Sequence, residues 1–235
     1  MKGSGRSRKT PRGGAVVLLS GGMDSATTLA IARHRGHHPL YALSISYGQR
    51  HARELLSARR VARHYGATLV TMTLPLAKVA PSALTRSDIP VPTGRSAAEI
   101  GRGIPATYVP ARNTVFLSIA LALAESTRAE AIYLGINAVD YSGYPDCRPE
   151  YLRAYRRMAR LATRSGVERG ESPRIEAPLL HMTKADIVRT GDRLGVPWEL
   201  TWSCYRGGKE PCGRCDACQL RERGFREAGA ARRRK

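Results

Sequence analysis

The chain has 235 residues, and 42% of them are hydrophobic, which is enough to bury the core of one α/β domain with a small appendage. No stretch approaches the roughly 18 consecutive apolar residues that a membrane-spanning helix requires. The basic N-terminus precedes an apolar run that is too short for a signal peptide. We therefore expect a cytoplasmic protein with no membrane partner.

The formal net charge is +20, and about half of it lies in residues 1–12 and 221–235. A charge of this size attracts polyanions, either nucleic acid or an anionic substrate. We expect the basic tails at 1–13 and 226–235 to be solvated and disordered, with nucleic-acid contact as the alternative. The body of the chain is also basic, and its charge does not decide between the two kinds of polyanion.

Strand and helix patterns alternate from Ala15 onward. The predicted strands cover 15–19, 39–47, 67–74, 131–137 and 176–180, and the predicted helices cover 24–36, 51–66, 112–127, 150–163 and 183–195. Thr183 stands three residues before Asp186, close to a capping box. The alternation predicts an α/β fold with a Rossmann-like, doubly wound parallel sheet in residues 14–200, whose ligands bind at the carboxyl ends of the strands.

Residues 75–111 interrupt this alternation with six prolines and several glycines. We expect an irregular segment here. Irregular segments of this length in compact domains tend to be functional lids or disordered.

A glycine-rich turn follows the first predicted strand. Gly21 and Gly22 allow a sharp turn that presents N–H groups, and Ser20 and Ser25 add hydroxyl donors. The helix that follows adds its positive N-terminal end. Asp24 would repel a phosphate directly, so its presence indicates a Mg²⁺ ion that bridges carboxylate and phosphate oxygens. The alternative is an ordinary strand–helix turn with a polar N-cap.

Four of the five cysteines lie close together near the C-terminus, as Cys204, Cys212, Cys215 and Cys218. Their C-x7-C-x2-C-x2-C spacing can close tetrahedrally around Zn²⁺. The alternative is an iron–sulfur cluster, but the upstream fourth ligand and the absence of a following Cys-Pro favour zinc. Because four thiolates leave no open coordination position, we predict one structural zinc ion in a small C-terminal subdomain at 201–225.

Nearly the whole chain, from about residue 14 to 225, resembles one family. The matching stretches are SGGMDS, SYGQRH, SALTRSDIPVP, GIPATYVPARN, GINAVDYSGYPDCRPEY, APLLHMTKADIV and SCY…PCGRCDACQLR. The turn resembles the pyrophosphate loop, SGGxDS, of the ATP pyrophosphatase superfamily, which cleaves ATP to AMP and pyrophosphate. Within that superfamily the chain resembles the 7-cyano-7-deazaguanine synthase family, which implies an adenine nucleotide alpha hydrolase-like fold.

The resemblance implies an enzyme that uses ATP and Mg²⁺ to convert 7-carboxy-7-deazaguanine and ammonia to the nitrile used in queuosine and deazapurine biosynthesis. Both the acid and the intermediate amide would be activated by adenylation, and each step would release pyrophosphate and then AMP. A homodimer is also implied. The implied nucleotide-binding residues are Leu19, Ser20, Gly21, Gly22, Met23, Asp24 and Ser25, with Ser20, Asp24 and Ser25 as the catalytic candidates.

Candidate substrate residues follow from the family motifs. Gln49 and Arg50 come after the second strand, where the motif suggests contact with nucleotide or substrate. Arg112 and Asn113 open a predicted helix and could bind nucleotide or the substrate carboxylate, with a plain helix start as the alternative.

Three further candidates lie in the DYSGYPD segment. A guanine-like edge offers a ring N–H and an amino group, two donors that one carboxylate can accept together. Asp140 and Asp146 are the candidates for this role, with turn-stabilising bonds as the alternative. Tyr144 could stack on the base or only pack.

Other ionisable residues carry simpler expectations. Cys147, outside the cysteine cluster, is expected to be a small buried thiol, with reactivity as the alternative. Lys184 is expected to be a solvated lysine in the first turn of its helix, with contact to a phosphate as the alternative. No histidine has a spacing that predicts a metal ligand.

Three rival functions stay open. The basic charge is compatible with a pyrophosphate-loop enzyme that modifies tRNA, although no appended RNA-binding domain is predicted. The chain could also be a non-enzymatic zinc protein that binds nucleic acid, but this function would leave Asp24 unexplained. A close relative could stop at the amide or use another amine.

Overall fold

The predicted parallel sheet is confirmed in a computed structural model, which describes residues 12–50, 52–100, 103–137 and 144–229. Its strands are β1 (Ala15–Leu18), β2 (Leu40–Ser46), β3 (Thr68–Thr73), β4 (Ala131–Tyr133) and β5 (Arg174–Glu176). All neighbours pair in parallel in the order β3-β2-β1-β4-β5. Because β2 and β4 flank β1, the chain reverses direction across the sheet at β1, and a crevice forms beyond the end of that strand.

The described helices are α1 (Met23–His34), α2 (Arg53–Tyr65), α3 (Ala97–Ile100), α4 (Arg112–Thr127), α5 (Pro149–Ala162), α6 (Arg164–Arg169), α7 (Lys184–Arg193) and α8 (Asp216–Glu227). The five predicted helices are confirmed to within two residues at each end. No helix in the described ranges is both long and apolar enough to cross a membrane.

The helices cover both faces of the sheet. Successive residues of β1 point to opposite faces, so Val17 packs in one core with Leu29 of α1, whereas Val16 packs in the other with Leu117 of α4. The first core also contains residues of α2 and α7, and the second contains residues of α5. Burial on both faces explains why the central strands read as continuous apolar runs.

The predicted strand at 176–180 is wrong. The ladder ends at Glu176, and the next residues form a turn in which Leu180 N–H donates to the Ala177 carbonyl over 3.2 Å. Pro178 lacks the N–H that a continuing ladder needs. Leu179 is nevertheless fully buried. The apolar run is therefore explained by packing of the turn against the core.

The capping box at the start of α7 is confirmed. The Asp186 N–H donates to Thr183 Oγ1 over 3.2 Å, and the Thr183 N–H donates to Asp186 Oδ2 over 3.0 Å. These bonds satisfy two N–H groups that a helix start leaves without partners. They also fix the first turn of α7, which carries Lys184.

Candidate active site

The glycine-rich turn forms a compact loop between β1 and α1. Gly21 has φ +85°, a left-handed conformation that favours glycine. The Ser20 and Ser25 hydroxyls are 3.1 Å apart, and Ser25 Oγ donates to the Gly22 carbonyl over 3.1 Å. The hydroxyls thus lie beside the start of α1, where N–H groups and the helix dipole favour an anion.

Gly21 also permits close contact between the loop and α2. A Cβ added there would lie under 3.0 Å from the Glu54 carbonyl and the Ala58 nitrogen, both main-chain atoms. We expect Gly21→Ala to destabilise the fold more than Gly36→Ala and to abolish ATP binding. Gly36 is a matched control because its φ is +86° with nothing within 4 Å of an added Cβ, so it should lose only about 1–2 kcal/mol for strain.

Thermal unfolding of the two glycine variants measures this difference. Equal losses of stability would contradict the argument, since they would leave only the shared left-handed strain and no effect of the contact with α2.

Lys184 is a buried partner of the loop and is not the solvated lysine that we expected. Its side chain is only 4% exposed, and Nζ donates to Asp24 Oδ2 over 2.6 Å. Gly224 of α8 makes this placement possible, because an added Cβ there would lie 2.8 Å from Lys184 Cβ. The close packing of α8 on α7 therefore holds a positive charge beside Asp24.

The other carboxylate oxygen of Asp24 is a candidate cation ligand. Asp24 Oδ1 is buried and accepts no hydrogen bond from the described residues. A buried carboxylate oxygen without a partner is costly. A hard divalent cation such as Mg²⁺ prefers oxygen ligands of this kind. The residues present therefore fit a Mg²⁺ ion held between Asp24 and phosphate oxygens.

The four predicted cysteines come together. Their sulfur atoms lie within 4.8 Å of one another. Tetrahedral zinc with Zn–S bonds of about 2.3 Å would need sulfurs about 3.8 Å apart, and Cys212 and Cys218 are at 4.0 Å. Main-chain N–H groups of Arg206 and Cys212 each lie 3.4 Å from Cys204 Sγ. Such donors stabilise thiolate, the form that binds metal.

The cysteine module is part of the site and not a separate appendage. The Trp202 N–H donates to the Gly21 carbonyl over 2.9 Å, and the Arg53 guanidinium lies 5.0 Å from the centre of the Trp202 ring system. The Trp202 indole N–H donates to the Cys204 carbonyl over 2.9 Å. Residues next to the cysteines thus form a wall against the loop.

A cavity of about 230 Å³ lies between the loop, the carboxyl ends of the strands and the cysteine module. It brings together most of the predicted site residues. Those that line it are Leu19, Ser20, Gly22, Met23, Asp24, Ser25, Gln49, Arg50, Arg112, Asn113 and Tyr144. Its position at the β1 crevice is where a doubly wound sheet binds ligands.

Arg112 supplies a cation to the cavity wall. It is the first residue of α4, and its guanidinium donates to the Tyr47 hydroxyl over 3.3 Å and lies 5.5 Å from the centre of that ring. In the described part of the chain no carboxylate forms an ion pair with Arg112 within 4.0 Å. A guanidinium in this setting suits a carboxylate or phosphate ligand.

Asn113 and Asp146 contact each other. Asp146 Oδ2 accepts from the Asn113 N–H over 2.8 Å, and Oδ1 accepts from the Asn113 amide over 3.3 Å. Asp146 is buried and does not line the cavity, whereas Asn113 does. The carboxylate thereby fixes the start of α4 and the orientation of Asn113.

The other predicted substrate residues are also held by local bonds. Gln49 Oε1 accepts from the Tyr47 N–H over 2.8 Å. The Arg50 guanidinium donates to main-chain carbonyls of residues 86, 87 and 89 and so holds the irregular segment over the cavity. The Tyr144 hydroxyl is 3.0 Å from Thr107 Oγ1 in that segment. Asp140 lies outside the described residues.

Two other ionisable groups are buried and held by local packing and hydrogen bonds, and the expected burial of Cys147 is confirmed. Cys147 is buried, and burial raises the pKa of its thiol to about 12, which disfavours the reactive thiolate. His37 is also buried, and its ring bonds to the Gly13 carbonyl at 2.7 Å and to the Tyr133 hydroxyl at 3.1 Å. This histidine therefore has a structural role.

Sequence reasoning did not single out several residues of the cavity wall, among them Glu54, Gly135, Trp202 and Tyr205. Gly135 follows β4, and an added Cβ there would lie 3.0 Å from the Asp24 main chain. Its place near the end of the predicted strand at 131–137 was the only available signal. The other three lie in segments whose patterns indicate a helix or a metal site and say nothing about which side chains reach the cavity.

Known proteins match this chain over nearly all of the described region. The family model described as Queuosine biosynthesis protein QueC matches residues 14–229. The 7-cyano-7-deazaguanine synthase of Anaeromyxobacter dehalogenans (strain 2CP-C) is 58% identical, with 92% of each chain covered. That of Myxococcus xanthus (strain DK1622) is 54% identical, covering 92% of this chain and 94% of the relative.

A solved structure of NMN synthetase from Francisella tularensis aligns over 93% of this chain and 87% of its own, with 16% identity and a TM-score of 0.46, too distant to bear on function. The family match, in contrast, includes the loop, the motif residues that line the cavity and all four clustered cysteines. The chain belongs to the QueC family of queuosine biosynthesis proteins.

Proposed function

We propose that this chain is a carbon–nitrogen ligase that converts 7-carboxy-7-deazaguanine and ammonia to 7-cyano-7-deazaguanine with two molecules of ATP. The observation that carries the proposal is the cavity, where the glycine-rich loop, the Arg112 guanidinium and the family's motif residues meet. Relatives that are 52–58% identical bear the name of this synthase. A carboxylate is a poor electrophile, so activation by ATP must precede attack by ammonia.

The loop is proposed to hold the β and γ phosphates of ATP. Main-chain N–H groups at the start of α1 and the hydroxyls of Ser20 and Ser25 would donate to phosphate oxygens. Asp24 and Lys184 would complete the site, and Mg²⁺, when bound, would neutralise phosphate charge as pyrophosphate leaves. Most of the rate acceleration would come from positioning and electrostatic stabilisation.

The opposite wall is proposed to hold the deazapurine acid. Arg112 would bind its carboxylate in the two-pronged manner that a guanidinium allows. Tyr144 would pack on the base, and the amide oxygen of Asn113, oriented by Asp146, would accept a hydrogen bond from it. Asp140 remains the candidate acceptor for the guanine-like edge, with Asp146 as the alternative, and Gln49 and Arg50 would contact nucleotide or substrate.

The acid and the amide would be activated by the same chemistry. A substrate oxygen attacks the α phosphate, and pyrophosphate leaves with the electrons of the broken bond. Ammonia then displaces AMP from the acyl-adenylate to give the amide. A second ATP adenylates the amide oxygen, and loss of AMP and the two nitrogen-bound protons leaves the nitrile. Both activations would use the same loop.

Mass spectrometry of an incubation with the acid, ATP, Mg²⁺ and ammonium tests the proposal. We expect the nitrile, with two AMP formed for each product. An amide with one AMP would contradict the synthase proposal and identify a relative that stops midway. No AMP at all would point to another acid or to tRNA, for which the +20 charge is the leading observation.

Further proposals concern metal, assembly and location. We propose that the cysteine cluster holds one structural zinc ion in the module at 201–225, whose last helix continues to Glu227. A cytoplasmic homodimer is proposed from the family resemblance. Nucleic-acid contact by the basic tails also stays a proposal, and residues 1–11 and 230–235 of those tails lie outside the described ranges.

A further inference from the structure

Glu54 is a carboxyl group in the cavity wall that the reaction proposed above does not use. It lies in the first turn of α2, the helix that packs against the loop at Gly21. Its side chain lines the same cavity as Tyr47 and Arg112. An ionisable group in such a position is costly to bury, and it is a candidate functional group.

None of the described residues is bonded to the Glu54 carboxyl group. Within the described ranges it makes no hydrogen bond and no ion pair within 4.0 Å. Arg112 is near enough to act on it electrostatically, yet burial outweighs that influence and raises the pKa of Glu54 to about 7. Two opposite charges therefore face one cavity without neutralising each other through direct contact, and each is available to a ligand.

A pair of this kind matches the two charged reactants. Arg112 suits the carboxylate of the acid, and an anionic group across the cavity suits a small cation. A divalent metal ion at Glu54 is disfavoured because such ions require several oxygen ligands, and the group that acts most strongly on the Glu54 carboxyl group is the Arg112 guanidinium. An ammonium ion needs only one anionic partner and room for its other N–H donors.

We propose that Glu54 binds the ammonium ion that supplies the product nitrogen and removes its proton, while Arg112 holds the substrate carboxyl group nearby. This inference rests on the proposed function and names a residue for one of its steps. It makes Glu54 a catalytic base for amination, with no part in the formation of the acyl-adenylate.

The chemical step balances as follows. Ammonium gives one proton to a Glu54 oxygen, and the freed lone pair of ammonia forms the bond to the acyl carbon. The bond from that carbon to the AMP oxygen breaks, and its electron pair leaves with AMP. A second proton passes from the new nitrogen to solvent, and the neutral amide results. Glu54 returns to carboxylate when its proton passes to solvent.

Glu54→Gln in the full-length enzyme tests the assignment. Exchange of labelled pyrophosphate into ATP in the presence of the acid, without ammonium, reports adenylation alone. We expect this exchange to persist, while kcat/KM for ammonium falls by at least about 100-fold, the contribution typical of a positioned base. With hydroxylamine, which is mostly neutral near neutral pH and needs no deprotonation, we expect much of the activity to return.

Several outcomes would overturn the assignment. Equal losses with ammonium and hydroxylamine would show that Glu54 does not handle the ammonium proton. Loss of exchange would place Glu54 in adenylation or in folding. Glu54→Asp guards against a folding artefact, because it keeps a carboxylate and should keep part of the ammonium activity. Glu150→Gln, at a side chain that is 67% exposed, is the control and should leave every reading unchanged.

A wrong proposed function and a wrong assignment of Glu54 would give different experimental results. If the unaltered enzyme showed no exchange with this acid, the substrate would be wrong, and the assignment of Glu54 would fall with it. Exchange in the unaltered enzyme together with unchanged ammonium kinetics in Glu54→Gln would reject the assignment alone.

Discussion

Replacing Asp24 with Asn is expected to lower kcat/KM for the ATP-dependent reaction by about 10²–10³-fold, the loss typical of one electrostatic contact to developing charge. The buried Oδ1 atom, which accepts no hydrogen bond from the residues that the structure describes, is the proposed cation ligand. An amide in its place would no longer carry the negative charge that holds the ion. Initial rates of AMP formation across a range of Mg²⁺ concentrations measure the effect.

The same substitution should also affect stability. Asp24 faces Lys184, which is 4% exposed and bonded to it over 2.6 Å. Removing one charge of a buried pair costs about 3 kcal/mol. Replacing both partners is often close to neutral. We therefore expect the double variant Asp24→Asn/Lys184→Met to recover most of the stability without recovering turnover.

This pair of variants separates chemistry from folding. Lost turnover in the stable double variant would show that the Asp24–Lys184 pair acts in the reaction and not only in folding. Unchanged turnover in Asp24→Asn would remove Asp24 from the site and, with it, the proposed role of the loop. Retained metal in the cysteine cluster would show that the neighbouring cysteine module is unaffected.

The fold could be predicted because its main signals are local. The apolar runs of β1 and β2 and the 3.6-residue periodicity of α2 are properties of short segments, and the sheet buries both faces as such runs require. The wrong prediction at 176–180 has the same origin. An apolar run shows that residues are buried, but Leu179 is buried in a turn, and only the missing N–H of Pro178 indicated that the ladder must stop.

Helix α8 was missed for the opposite reason. Half of its residues, from Asp216 to Glu227, are charged, and its buried face uses small residues such as Ala217, Cys218 and Gly224. Small residues give little hydrophobic periodicity. They nevertheless allow close packing, and the contact of Gly224 with Lys184 is what brings that lysine to the loop. A first-turn lysine is usually solvated, so the sequence alone could not indicate its burial.

The candidate site was predictable where one motif carries the chemistry. The loop residues are consecutive, and the four cysteines lie within one short segment. Each motif can therefore be recognised without any long-range contact. Glu54 and Trp202 become functional candidates only because α2 and the cysteine module meet at Gly21. Tertiary packing determines contacts of this kind. Helix periodicity and ligand spacing contain no information about that packing.

Cys215→Ser is expected to have the largest effect on stability. Its sulfur is fully buried among the other three, and structural zinc sites of this kind contribute on the order of 10 kcal/mol to folding. We expect the variant to lose its single zinc ion and to unfold the module. Metal analysis by mass spectrometry and thermal unfolding measure these two losses.

The loss should extend beyond the module. Arg95 forms an ion pair with the buried Asp216, and the Gly94 N–H donates to the Arg214 carbonyl over 2.9 Å, so the cysteine module holds the irregular segment. Trp202 holds the phosphate loop. Faster proteolysis within 75–111 and loss of ATP binding should therefore accompany loss of zinc.

Cys147→Ala is the matched control for this prediction, because it removes a buried thiol outside the cluster. It should retain one zinc ion per chain, since Cys147 is not among the four clustered sulfurs. Iron with labile sulfide in the unaltered protein would contradict the zinc assignment. Retained zinc in Cys215→Ser would contradict the four-ligand site. Because the module forms one wall of the cavity, either result would also weaken the proposal that the module supports the ATP-binding loop.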